Sequence, residues 1–165
     1  MQLQAFCGAG VAAKSSDDIQ LAWANLVRTG TNVMQRVEDD LKRQGFPPVA
    51  WYDVLWELDK APDGVLQQSE VQARVLLAQY NFVRLLDRLE RAGLIRRMPC
   101  KVDGRSNVLH LTDAGRDLRK GMWPAYDAAI ATHVGSYLSR DEAGALAGLL
   151  SKLLPDRKKL AMRTR

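Results

Sequence analysis

The stretch that decides the reading is Leu85-Leu86-Asp87-Arg88-Leu89-Glu90-Arg91-Ala92-Gly93-Leu94-Ile95-Arg96-Arg97, followed by Asp103-Gly104-Arg105-Ser106-Asn107-Val108-Leu109-His110-Leu111-Thr112-Asp113-Ala114-Gly115. Its first part is helical. Phe82, Leu85, Leu86 and Leu89 recur at three- and four-residue steps, so a helix over about 78–92 has one apolar face. Gly93 supplies the stop, because a residue without Cβ adopts the left-handed closing conformation at least cost. Residues 94–99 and 107–111 read as two strands around the polar turn Lys101-Val102-Asp103-Gly104-Arg105-Ser106, a hairpin with a long tip. A short helix at about 67–74 comes first, joined to the longer one through Val75-Leu76-Leu77.

Short helix, turn, second helix and hairpin is the order of a winged helix-turn-helix. Working outward, Ser16 is available to cap a helix in which Ile19, Trp23, Leu26, Val27, Gly30, Val33, Met34, Val37 and Leu41 keep helical spacing until Gly45. Pro47-Pro48 opens another, with Trp51, Val54, Leu55 and Leu58 on one face. Pro62-Asp63-Gly64 is a turn, and Val65-Leu66 is too short for more than a bridge of strand. Downstream, Thr112 caps a long helix to about Tyr137, in which Pro124 is expected to introduce a kink. Ser139-Arg140-Asp141-Glu142 is a capping box opening a last helix through Leu146, Leu149, Leu150 and Leu153 to Pro155. The fold expected is mainly α with a small β-hairpin wing. Its winged head spans about 48–112, flanking helices occupy about 16–45 and 113–155, and tails cover 1–15 and 156–165, the latter basic. There is no internal repeat.

The chain has 165 residues, enough for one domain with a real core, and its 47% hydrophobic content excludes a disordered chain. The net charge of +5 is unevenly placed: residues 84–120 hold ten cations and five anions, whereas the rest of the chain balances. That concentration points to a polyanion such as nucleic acid. Two cysteines, Cys7 and Cys100, are too few for a secreted disulfide scaffold. No signal-peptide pattern opens the sequence, and no run approaches the roughly 18 apolar residues that span a bilayer. A soluble cytoplasmic protein with no membrane partner is expected.

A helix of about 10–12 Å diameter fills a B-form major groove, and a hairpin tip reaches the adjacent minor groove. Opposite the leucine stripe of the 78–92 helix stand Gln79, Tyr80, Asn81, Arg84 and Arg88. Gln and Asn pair bidentately with adenine, and Arg with guanine. Double-stranded DNA is therefore the expected partner. In the blander alternative, Arg84 and Arg88 solvate a helix face and pair locally with Asp87 and Glu90. The terminal helices carry leucine-rich faces with too few partners in one chain to cover them, which favours a homodimer over a monomeric helical core.

The quoted residues resemble the MarR family of bacterial transcriptional regulators. Asp103 to Gly115 looks like the family's wing signature, D-x-R-x-x-x-V/L-x-L-T-x-x-G, and the resemblance extends over roughly 17–155. It implies a homodimeric DNA-binding regulator, most often a repressor, whose terminal helices interleave and whose two heads bind a pseudo-palindromic operator. By that likeness Arg105 enters the minor groove with Lys101 and Ser106 beside it, and Asp103 braces the wing through an arginine. Two departures stand out: Val75-Leu76-Leu77 lacks the glycine common in such turns, and Phe82 stands where smaller residues are usual.

The family commonly senses small aromatic ligands between dimer helices and head. Trp23, Trp51, Tyr52, Trp56 and His133 lie on the corresponding helices, either lining such a pocket or simply forming core. Some relatives switch through a cysteine, and Cys100 sits beside Lys101, whose charge would favour thiolate. A redox-sensing regulator of the same fold is thus one alternative. A winged-helix protein-interaction module without DNA binding is the other. Neither His110 nor His133 has an i,i+4 partner histidine and no C-x-x-C occurs, so no metal site or cofactor is expected. No nucleophile elbow, P-loop or zinc-protease motif is present, which argues against an enzyme.

Overall fold

A computed structural model describes residues 15–75, 79–99 and 107–154. The first helix, α1 (Asp17–Arg43), is capped by Ser16, whose side chain accepts from the Ile19 amide; Asp17 and Asp18 complement its positive end. Gly45 has a φ of +80°, which the turn into the next helix requires. Then come α2 (Val49–Asp59), a 3₁₀ turn at Pro62–Gly64, strand β1 (Val65–Gln67), α3 (Gln68–Arg74), α4 (Gln79–Arg91), β2 (Ile95–Pro99), β3 (Asn107–Leu111), α5 (Asp113–Ile130) and α6 (Arg140–Ser151). The expected tails fall outside the described residues, Ser15 excepted.

Val65-Leu66 does more than bridge. With Gln67 it forms the edge strand of an antiparallel sheet ordered β1-β3-β2, in which Leu66 stands opposite Leu109 and Arg97 opposite the same residue from the other side. Three residues suffice because β1 borrows its hydrogen bonds from a strand already held by β2.

Two cores result. The head core gathers Val54, Leu55 and Leu58 of α2, Val71 of α3, Phe82, Leu85, Leu86 and Leu89 of α4, and Leu94, Ile95 and Leu109 around the sheet. Phe82 is fully buried, so the large ring that departs from the family pattern fills the head rather than facing outward. A smaller core joins head to helices through Val37 and Leu41 of α1, Val49 and Tyr52 of α2, and Met122, Ala125 and Ala129 of α5.

The long helix after Thr112 is α-helical to Ile130 and continues as a π-helical turn to Gly135, close to the end its periodicity suggests. It runs without interruption through Pro124, which lies on the exposed face where water reaches the carbonyl left without a donor. The departure comes at 131–135, a π-helical turn in which the Ser136 amide bonds the Ala131 carbonyl at 2.9 Å. The capping box at Ser139 forms as expected, with Glu142 accepting from the Ser139 amide at 2.8 Å.

The turn leaving α4 is fastened to the start of α5 through Thr112. Thr112 Oγ1 donates to the Gly93 carbonyl at 2.7 Å and accepts from the Gly115 amide at 3.1 Å. A Cβ on Gly115 would collide with the Leu94 carbonyl oxygen and stand 2.9 Å from Leu111 Cδ1. Gly121, on the same helix, has nothing within 4 Å of such an atom. Urea unfolding is expected to show Gly115→Ala destabilised by about 2–3 kcal/mol through overpacking. Gly121→Ala should instead gain about 0.5–1 kcal/mol from helix propensity. Equal effects at the two sites would contradict the close approach.

Candidate nucleic-acid interface

The face that α4 offers to solvent is set by what its other face buries. Fixing Phe82, Leu85, Leu86 and Leu89 in the head core, at about 1.5–3 kcal/mol each, turns Asn81, Arg84, Arg88 and Arg91 outward. Gln79 and Tyr80 form its first turn. The Asp87 and Glu90 carboxylates make no ion pair with the helix's own arginines, so the local pairing in the blander alternative is absent, while Arg84 and Arg88 are exposed as both readings expect. Both acids turn instead to Arg97 on β2, whose Nη2 lies 2.7 Å from Asp87 Oδ1 and 2.6 Å from Glu90 Oε2. The Arg97 amide also donates to Glu90 Oε1 at 3.0 Å. These bonds hold the Glu90 carboxyl below the usual carboxylate range and raise the Arg97 guanidinium above its own.

Not every cation of the 84–120 run is available to a polyanion. Arg116 and Arg119 both pair with Asp59, Arg119 Nη2 at 2.7 Å, and so tie α5 to α2. Arg119 also lies over the Trp56 ring, 5.2 Å from its centroid. Among the described residues, Arg84, Arg88, Arg91, Arg96 and Lys120 have no acidic partner. The wing tip, with Cys100, Lys101, Asp103, Arg105 and Ser106, lies outside the described residues, as do the side chains of Gln79 and Tyr80 and all of Cys7.

The five expected ligand-pocket residues do not share one cavity in a single chain. Trp23 and His133 line an apolar groove of about 1280 Å³ between α1, the end of α5 and α6. His133 Nε2 lies 2.9 Å from Asp40 Oδ2, joining the π turn to α1 and lowering the Asp40 pKa. Trp51 packs against the head core. Tyr52 and Trp56 stack at 6.1 Å and form an aromatic cluster with Trp123 and Tyr126. Tyr126 alone of that cluster also reaches the groove. Residue type could not single out Trp123 or Tyr126, but their three-residue spacing on α5 was a readable signal. Arg97 was readable as well: strand alternation from buried Ile95 puts it on the inner side of β2.

The head packs three helices, α2, α3 and α4, on a three-stranded sheet and turns a basic face of α4 outward. The MarR family model matches residues 44–106. An HTH-type transcriptional regulator of Bacillus subtilis, YkoM, is 34% identical over 132 residues, 78% of this chain and 83% of its own length. MgrA, an HTH-type transcriptional regulator of Staphylococcus aureus, is 31% identical over 109 residues, 66% of this chain and 69% of that one. Sco3205, a MarR family regulator from Streptomyces coelicolor solved in complex with DNA, superposes with a TM-score of 0.77 at 22% identity, covering 87% of this chain and 89% of its own. The chain belongs to the MarR family and is a transcriptional regulator rather than an enzyme.

Asp53, on α2 beside the aromatic cluster, has its pKa pushed up to about 6 by burial, with Glu57 and Glu38 adding repulsion. It therefore binds its proton more tightly in the folded chain than in the unfolded one, so its ionisation costs stability as pH rises from about 4 through 6. Thermal melts are expected to show Asp53→Asn stabilised by about 1 kcal/mol at pH 7.5, after allowing for solvent screening, and nearly unchanged at pH 4. An equal gain at both pH values, or a loss at pH 7.5, would contradict that cause.

Proposed function

We propose that this chain is a sequence-specific repressor that works in the cytoplasm as a homodimer on a pseudo-palindromic operator and is released by a small aromatic effector. The observation that carries the DNA-binding part is α4 itself: a buried apolar face and an outward face whose arginines have no acidic partner among the described residues. In this reading Gln79, Tyr80, Asn81 and Arg84 meet base edges and Arg88 meets phosphate. Lys101, Arg105 and Ser106 serve the neighbouring minor groove, with Asp103 bracing the wing. That Sco3205, which shares the fold, is solved in complex with DNA supports DNA as the partner.

The homodimer is supported by what one chain leaves uncovered. No residue of α6 is buried, and Leu149 and Leu153 are 59% and 69% exposed. Ile19 and Trp23 of α1 are 61% and 66% exposed across the same groove. Apolar area of that kind, on helices flanking a reading head, suits a second copy with arms at 16–45 and 113–155. The effector reading is supported by Tyr126, which belongs to both the groove and the aromatic cluster beside the head. An apolar aromatic molecule inserted there would press on α2 and α5 together.

Footprinting on DNA flanking the protein's own gene, joined to sedimentation, tests this reading. Two protected half-sites one helical turn apart, about 34–36 Å, are expected from a species of twice the 18.4 kDa chain mass. Asn81→Ala and Arg84→Ala should each relax sequence preference at one position per half-site, by about 1–3 kcal/mol. Leu149→Glu with Leu153→Glu should give single chains that no longer protect both half-sites. Tight operator binding by an 18.4 kDa species of the unaltered protein, or no protection at all, would overturn the proposal.

A further inference from the structure

We infer that Arg97 is a positioning residue that sequesters charge: it holds the carboxylates of Asp87 and Glu90 against the base of the wing, leaving Arg84, Arg88 and Arg91 uncompensated toward DNA. The inference rests on the DNA-binding reading above and adds a residue to it that need not touch DNA.

The geometry is specific. Arg97 presents its fork to both acids at once, Nη2 at 2.7 Å from Asp87 and Nε donating to Glu90 Oε2 at 2.7 Å. Its own amide occupies the second Glu90 oxygen at 3.0 Å, so both oxygens of that carboxylate are engaged by one residue. On a bare helix the outcome would differ. Asp87 is three residues from Arg84 and four from Arg91, the separations at which opposite charges meet on a helix surface. Neither pair forms; Arg91 Nε donates to the Asp87 backbone carbonyl at 3.1 Å instead. The strand explains why. Ile95 is buried and Arg96 exposed, so the alternation of β2 carries Arg97 back toward α4. A side chain aimed inward from β2, 24% exposed, is poorly placed to meet a phosphate and well placed to hold α4's acids.

The physical consequence is electrostatic. A loose carboxylate on the reading helix would both repel phosphate and claim an arginine needed for it; held in a guanidinium fork, its field is largely cancelled. The effect acts through the neighbouring arginines.

A mutant cycle tests it. The probe is a fluorescent duplex of mixed sequence, titrated by anisotropy at one fixed salt concentration with the intact chain. The variants are Arg97→Met, Asp87→Asn with Glu90→Gln, and all three together, with thermal melts confirming that each is folded. Arg97→Met is expected to lose about tenfold in affinity, in the range of a charge left unpaired at an interface rim. The double acid variant should bind as tightly as the unaltered chain or tighter. The triple variant should match the double, because with no carboxylate to hold, Arg97 is dispensable. If Arg97 itself met phosphate, its loss would cost the same in both backgrounds. If it only anchored the wing, the double acid variant would lose affinity as Arg97→Met does. Either result overturns the inference. Should Arg97→Met fail to fold, Arg97→Lys, which keeps the charge but not the fork, replaces it with the same expected pattern at smaller size. An unaltered chain that binds no duplex would remove the DNA-binding reading as well, and is thereby distinguished from failure of the inference alone.

Discussion

The structure depends on the closeness of Gly115 to the Leu94 carbonyl. At that point the turn leaving α4 meets the turn entering α5, and the Thr112 hydroxyl bonds to both sides. Only a residue without a side chain allows the approach. Because of it, α4, the sheet and α5 pack directly against one another at this junction. Arg116 and Arg119 extend the joint by fastening α5 to Asp59 at the end of α2. Packed contacts and paired charges thus connect α5 to the head.

Much of this was legible in the residues. Gly93, Thr112 and the capping box at Ser139 marked their boundaries correctly, because each exploits a local rule that tertiary context did not override. The strand at Val65–Gln67 was under-read, since its stability comes from β3, which sequence neighbours cannot announce. The helical run to about Tyr137 was legible, but its change of winding was not: at 131–135 the backbone takes a π turn whose His133 is held by Asp40, 93 residues away.

The candidate site divides the same way. The outward face of α4 followed from the leucine stripe, because a helix that buries one face must expose the other. The assignment of charge followed only for Arg97, which strand alternation places inward. Counting ten cations in residues 84–120 treated them as equivalent, whereas Arg97, Arg116 and Arg119 are committed to internal carboxylates. Which arginine pairs inward depends on strand alternation and on the position of Asp59, sixty or so positions upstream of its partners. Similarly, Trp23, Trp51, Tyr52, Trp56 and His133 share a residue class but not a location; composition named aromatic side chains and topology distributed them among groove, head core and cluster.

The central claim is that a basic reading face, small in net charge but locally uncompensated, binds duplex DNA. The salt dependence of that binding tests it most directly. If the protein neutralises roughly 6–10 phosphates, log affinity for a duplex should fall linearly with log salt, by about 10³–10⁵-fold between 50 and 200 mM. Affinity that is flat across that range, or no measurable binding at 50 mM, would contradict the account.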